Sequence, residues 1–229
     1  VLHTRADRPL ATREPLQLGA EIYGHAGLEG DLEAMELAQA CVLAAGLRDL
    51  TLDMADVRVI DSVLAGVPLS AEQTHLIHTA LARKDGGALA ALARRGRGDA
   101  AARAALPDLA ALYGDDALAR ARAFARAVPA CAPALAEVEA ALRLARRRGL
   151  GHVVVDLGEA RGLGYYTGLT FAGFAPGAGA AVANGGRYDE LLARFGRPGP
   201  AIGFAVDLEF ATQALERQAK APRRRAGRG

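Results

Sequence analysis

Between about Ile60 and Gly149 the chain has almost no strand character, while the stretches on either side alternate apolar and polar residues. A strand-rich core interrupted by a helical insertion satisfies both facts. Upstream, Pro15 to Tyr23 alternates as a half-buried strand, Leu28 to Ala45 has helical spacing and stops at Gly46, and Leu50 to Met54 alternates again. Within the block, Ser70 and Gln73 form a capping-box pattern ahead of Leu76, Ile77, Ala80 and Leu81. Pro107, Gly114, Pro129 and Pro133 divide the helices that follow. The last of these presents Leu135, Val138 and Leu142 and ends at Arg146-Arg147-Arg148-Gly149. Strand signals return at Val153 to Asp156, 164–174 and 200–206. The expected division is a first core part at 1–59, the helical insertion at 60–149, a second core part at 150–216 and a disordered basic tail at 217–229.

A chain of 229 residues can bury a substantial core. Its net charge of +2 gives no case for a nucleic-acid-binding protein as a whole. Arg94-Arg95-Gly96-Arg97 and Arg146-Arg147-Arg148 could contact phosphate, but such runs more often mark solvated helix faces. No apolar run is long enough to span a bilayer. Cys41 and Cys131 are too few and too isolated for a disulfide framework or metal cluster, so small buried hydrophobes in a reducing cytoplasm are expected. The chain begins at Val1, and a polar loop leads straight into a strand with no preceding partner. Upstream sequence is therefore expected to be missing.

Two glycine-flanked, tyrosine-bearing segments carry the chemistry: Arg161-Gly162-Leu163-Gly164-Tyr165-Tyr166-Thr167-Gly168 and Gly185-Gly186-Arg187-Tyr188-Asp189. With an arginine in each, they suggest a polar pocket walled by backbone and phenol groups. A free amino acid needs arginine or N–H groups for its carboxylate and oxygen acceptors for its ammonium. An imidazole also needs a partner at each ring nitrogen. Gln17 and Glu21, four apart in a strand, share one face.

In the order Gln-x-x-x-Glu, Arg-Gly-Leu-x-Tyr-Tyr and Gly-Gly-Arg-Tyr-Asp, these motifs resemble the histidine pocket of the histidyl-tRNA synthetase family. The details favour its non-aminoacylating paralogues, the regulatory subunits of ATP phosphoribosyltransferase. Leu69 to Gln73, Ala80 to Asp85 and Leu106-Pro107-Asp108-Leu109 resemble that branch too, and the likeness covers nearly all of residues 13–215. It implies an α/β (α+β) fold: a class II aminoacyl-tRNA synthetase-like, mostly antiparallel sheet with a helical insertion. It also implies that Gln17, Glu21, Arg161, Tyr165, Tyr166 and Tyr188 bind histidine. Glu21 and Tyr166 would address the imidazole, Gln17 the ammonium, Arg161 the carboxylate side, and Tyr188 would close the wall. Gly164 stands where the family has Asp.

Other departures separate the two branches. Synthetases hold ATP with arginines where this chain has His3 and Phe210, and Asp207 replaces a glycine. An acidic residue there would repel a triphosphate. The resemblance therefore implies no catalytic residue, metal or cofactor. It implies a hetero-oligomer with the short-form catalytic ATP phosphoribosyltransferase subunit, self-association, free histidine as ligand and no tRNA. The alternative is a histidyl-tRNA synthetase-like enzyme or a catalytic-core fragment of one.

Overall fold

The computed structural model describes residues 14–159 and 164–220. Its alternating segments pair into one six-stranded sheet in the order β1-β6-β5-β4-β2-β3. The strands are β1 (Gln17–Tyr23), β2 (Thr51–Asp56), β3 (His152–Val155), β4 (Leu169–Phe174), β5 (Ala183–Arg187) and β6 (Ala201–Asp207). All neighbours are antiparallel except β2 and β3, which run parallel. A parallel pair needs a long crossover. Here it is the helical insertion, running through α2 (Val57–Leu64), α3 (Ala71–Ala82), α4 (Gly86–Arg95), α5 (Ala100–Ala105), α6 (Ala117–Ala127) and α7 (Ala132–Arg147).

Period-two alternation gives the sheet two unlike faces. One carries Leu52 and Met54 of β2, Phe171 of β4 and Ile202, Phe204 and Val206 of β6, all buried. The helix α1 (Leu28–Ala44) packs across β5 and β6 on Leu32, Met35, Ala38 and Val42, and α7 packs against β2. These residues belong to one continuous core with Ile77, Leu81, Leu89 and Leu109 of the helical block. The other face carries mostly glycine, alanine and polar side chains, with Phe174 and Val154 toward the β3 end.

Local signals explain the helix ends. Ser70 accepts from the Gln73 N–H while Gln73 accepts from the Ser70 N–H, so both arms of the capping box form. Asp85 and Asp99 cap α4 and α5 by accepting from the Ala88 and Ala102 N–H groups. Gly46, just after α1, has φ of 95°, the left-handed conformation expected of it. Lys84, past the end of α3, reaches Asp156 beyond β3 at 2.6 Å and ties the helical block to the sheet.

Several details depart from expectation. β1 is exposed along most of its length rather than half-buried, because it is the sheet edge, and Leu16 and Leu18 are 70% and 52% exposed. Helix starts at Val57, ahead of Ile60, because the Asp56 side chain accepts from the Arg58 N–H and caps it. Residues 164–168 form a turn, and β4 begins only at Leu169. The final helix, α8 (Leu208–Lys220), runs past Glu216 into the stretch read as tail. β5 was not anticipated as a strand, since Gly185-Gly186 lacks both β propensity and alternation. Arg94, Arg95, Arg97 and Arg146 to Arg148 are exposed; Cys131 is buried as expected, whereas Cys41 is only partly buried. Among the described residues, no helix is long and apolar enough to cross a membrane.

Candidate functional site

Strand register places Gln17, Gly19, Glu21 and Tyr23 of β1 on the face away from α1. They lie beside Gly203 and Ala205 of β6, Asn184 and Gly186 of β5, Thr170 and Ala172 of β4, and Asp53 and Ala55 of β2. The small residues of the central strands make a trough, and the larger polar ones rise from its edges.

Two glycines decide what can sit there. A Cβ on Gly203 would come within 2.8 Å of Glu21 Cγ and 3.1 Å of Tyr188 Oη, so both side chains converge over that missing group. A Cβ on Gly186 would lie 2.8 Å from the Tyr166 ring and from Thr170 Cγ2. Tyr165 joins these two places. Its ring stacks on Tyr188 at 5.2 Å and meets Tyr166 edge-on at 5.0 Å. Tyr23 donates a hydrogen bond to Glu21 Oε2. Burial first, then the Glu21 carboxylate, pushes the Tyr188 phenol well above the ordinary tyrosine range. Tyr188 therefore stays protonated at neutral pH, and among the described residues its buried hydroxyl has no hydrogen-bond partner. Burial, then Glu21, likewise raises Tyr165.

Alternation splits the Gly-Gly-Arg-Tyr-Asp segment between the two faces. Gly185 lies against the Phe171 ring, whereas Gly186 lies under Tyr166. Arg187 turns toward α1, where Nε donates to Asp31 Oδ1 at 3.0 Å and Nη1 to the His25 carbonyl at 3.1 Å. The arginine that suggested a pocket group is thus a buried strut, and Asp31 is fully buried beside it. Burial raises the Asp31 carboxyl, and the Arg187 guanidinium opposes that rise. Asp189 accepts from the Ala201 N–H at 2.9 Å and braces the entry to β6.

A cavity of about 360 Å³ opens beside Tyr165 and Tyr166, lined further by Asp53, Ala55, Glu159, Thr170, Ala172 and Asn184. Another of similar volume borders the same tyrosines and carries Arg58, Asp61, Thr167, Glu190 and Arg194. Among the described residues no group of three or more His, Cys, Asp or Glu side chains could hold a metal ion.

Of the residues singled out in the sequence, Glu21, Tyr165 and Tyr188 come together, and Tyr166 adjoins them through Tyr165. Gln17 shares their face but stands at the far end of β1, opposite Asp207. Arg161 and His3 lie outside the described residues. Gly164 has φ of 85°, a conformation that glycine adopts without strain. Tyr23, Asp53 and Asn184 were not singled out. Tyr23 follows Glu21 by two along one strand, so period-two counting alone could have found it. Asp53 and Asn184 needed the register across four strands.

At the other end of β6, Asp207 Oδ1 accepts from the N–H groups of Glu209 and Phe210, each at 3.0 Å, and so caps α8. Phe210 packs against the core. The positive end of that helix, a ready anion site, already holds the chain's own carboxylate.

The family model described as histidyl-tRNA synthetase matches residues 1–211. The ATP phosphoribosyltransferase regulatory subunit of Anaeromyxobacter sp. (strain Fw109-5) is 61% identical over 227 residues, 98% of this chain and 66% of that protein. That of Anaeromyxobacter dehalogenans (strain 2CP-1 / ATCC BAA-258) is 57% identical over 234 residues, 100% of this chain and 67% of the relative. Among solved structures, an ATP phosphoribosyltransferase regulatory subunit/histidyl-tRNA synthetase from Bacillus halodurans C superposes with a TM-score of 0.75 at 27% identity. That likeness covers 87% of this chain and 53% of the other. The chain thus spans about two thirds or less of the length of these relatives. Its fold, its motifs and its identity to these proteins agree: the chain belongs to the ATP phosphoribosyltransferase regulatory subunits, a branch of the histidyl-tRNA synthetase-like family.

Proposed function

We propose that this chain is the greater part of a non-catalytic regulatory subunit. It binds free histidine and, through a short-form catalytic ATP phosphoribosyltransferase subunit, supports activity and feedback inhibition at the first step of histidine biosynthesis. Its relatives' names support the regulatory role. The ligand is supported by the resemblance of these motifs to the family's histidine pocket, in which Glu21 would accept a ring N–H, Tyr166 and Tyr188 would supply phenol groups, and Gln17 and Arg161 would address the amino-acid end. The protein is cytoplasmic, self-associates and does not use tRNA.

The observation that carries the non-catalytic reading is the Asp207 cap on α8. Forming an adenylate needs positive groups on the ATP phosphates. Here a carboxylate takes the helix N–H groups, and Phe210 supplies no charge. The alternative, a synthetase-like enzyme or its catalytic core, draws on the family fold but leaves that carboxylate unexplained. Histidine-dependent pyrophosphate exchange by the full-length protein is the test. We expect none, and turnover at ordinary synthetase rates, about one per second or faster, contradicts the reading.

A further inference from the structure

Glu21 stands on an exposed edge strand, where a glutamate with several rotatable bonds would sample many positions. A ligand that needs its carboxylate in one place must bear the cost of fixing it, unless something holds it first. Tyr23 is placed to do so. Its Cα pairs with Ala201 across the ladder, and the next N–H, that of Gly24, donates to the Pro200 carbonyl at 2.8 Å. The phenol therefore rises from anchored backbone on the same face as Glu21 and donates to Oε2. The absent side chain of Gly203 leaves room for Glu21 Cγ on the other side.

We propose that Tyr23 is a positioning residue for ligand recognition: by holding Oε2 it fixes the Glu21 carboxylate beside Tyr188, ready to accept a ligand N–H. This rests on the histidine-binding reading and adds to it a residue that the ligand itself need not touch. Tyr23 sharpens selectivity for a nitrogen ring over an apolar ring of the same size, because an oriented carboxylate rewards only a ligand that can donate to it.

The test is a double-mutant cycle on the full-length protein, with histidine affinity read by calorimetry. Tyr23→Phe should weaken binding about five- to tenfold, within the range that immobilising a rotamer-rich side chain costs on binding, with no change in melting temperature. In a Glu21→Ala background the same substitution should add no further loss, since the group through which it acts is gone. Equal affinity of Tyr23→Phe and the unsubstituted protein overturns the proposal. So does an undiminished second loss in the Glu21→Ala background, which marks a general structural effect. No histidine binding by the unsubstituted protein removes both this inference and the reading beneath it. Histidine binding that depends on Glu21 but not on Tyr23 removes this inference alone.

Discussion

Gly186, Arg187 and Tyr188 are consecutive, yet they serve two surfaces with opposite requirements. On the α1 side, Arg187 is enclosed with Asp31 in a buried ion pair at 3.0 Å. On the open side, Gly186 and Tyr188 border a trough in which a buried hydroxyl has no partner among the described residues. One face is packed under α1; the other is open beside the tyrosines. The difference teaches that the motif is two devices interleaved at period two. Damage to them should separate into stability loss and binding loss.

The largest effect expected is on the closed face. Arg187→Met leaves Asp31 buried without its counter-charge and should cost about 3–5 kcal/mol in denaturant unfolding. It also predicts a pH signature. Burial already raises the folded-state Asp31 carboxyl, and loss of Arg187 raises it further. A carboxyl with a raised folded value binds its proton more tightly when folded, so stability falls as pH rises through that value. The variant should therefore regain stability as pH is lowered from neutral toward the carboxylate range. If its stability does not respond to acid, the buried-charge account of this face is wrong.

On the floor between the faces, Gly186→Ala should cost about 1–3 kcal/mol, because its new methyl group meets the Tyr166 ring and Thr170. Histidine affinity should fall with it as Tyr166 is displaced. A protein that keeps full affinity would show that Tyr166 has no part in the pocket. Glu21→Ala, on the open face alone, should weaken histidine binding by about 1–3 kcal/mol in calorimetry while leaving unfolding unchanged. Tyr188→Phe is the gentlest probe. Removing an orphaned buried hydroxyl should leave stability unchanged or raise it by about 1–3 kcal/mol, and weaken histidine binding measurably. Substantial destabilisation would mean that the hydroxyl has a partner in the ligand-free protein.

The closed face was the more legible in sequence. Helical spacing and the alternation of β2 report burial directly, because burial is what hydrophobic patterning encodes, and the Ser70–Gln73 box marks a helix start. β5 escaped, since its glycines are chosen for what stands over them rather than for strand propensity. The exposure of β1 escaped for another reason: alternation shows that a segment is a strand but not whether it lies at a sheet edge. On the open face, resemblance supplied Glu21, Tyr165, Tyr166 and Tyr188. It did not supply Tyr23, which period-two counting from Glu21 reaches, or Asp53 and Asn184, whose places in the trough depend on register between strands distant in sequence. Arg187 misled because its type suits a pocket while its parity in the strand directs it away.

A regulatory subunit acts only if ligand binding biases its partner, and that coupling must be reciprocal. The direct measurement is the activity of a short-form catalytic ATP phosphoribosyltransferase subunit, assayed alone and with the full-length protein, as histidine is titrated. The account predicts that adding the protein raises activity, and that histidine then suppresses it through Glu21, so that Glu21→Ala blunts the inhibition. Activity indifferent to the protein, or a mixture indifferent to histidine, would contradict it.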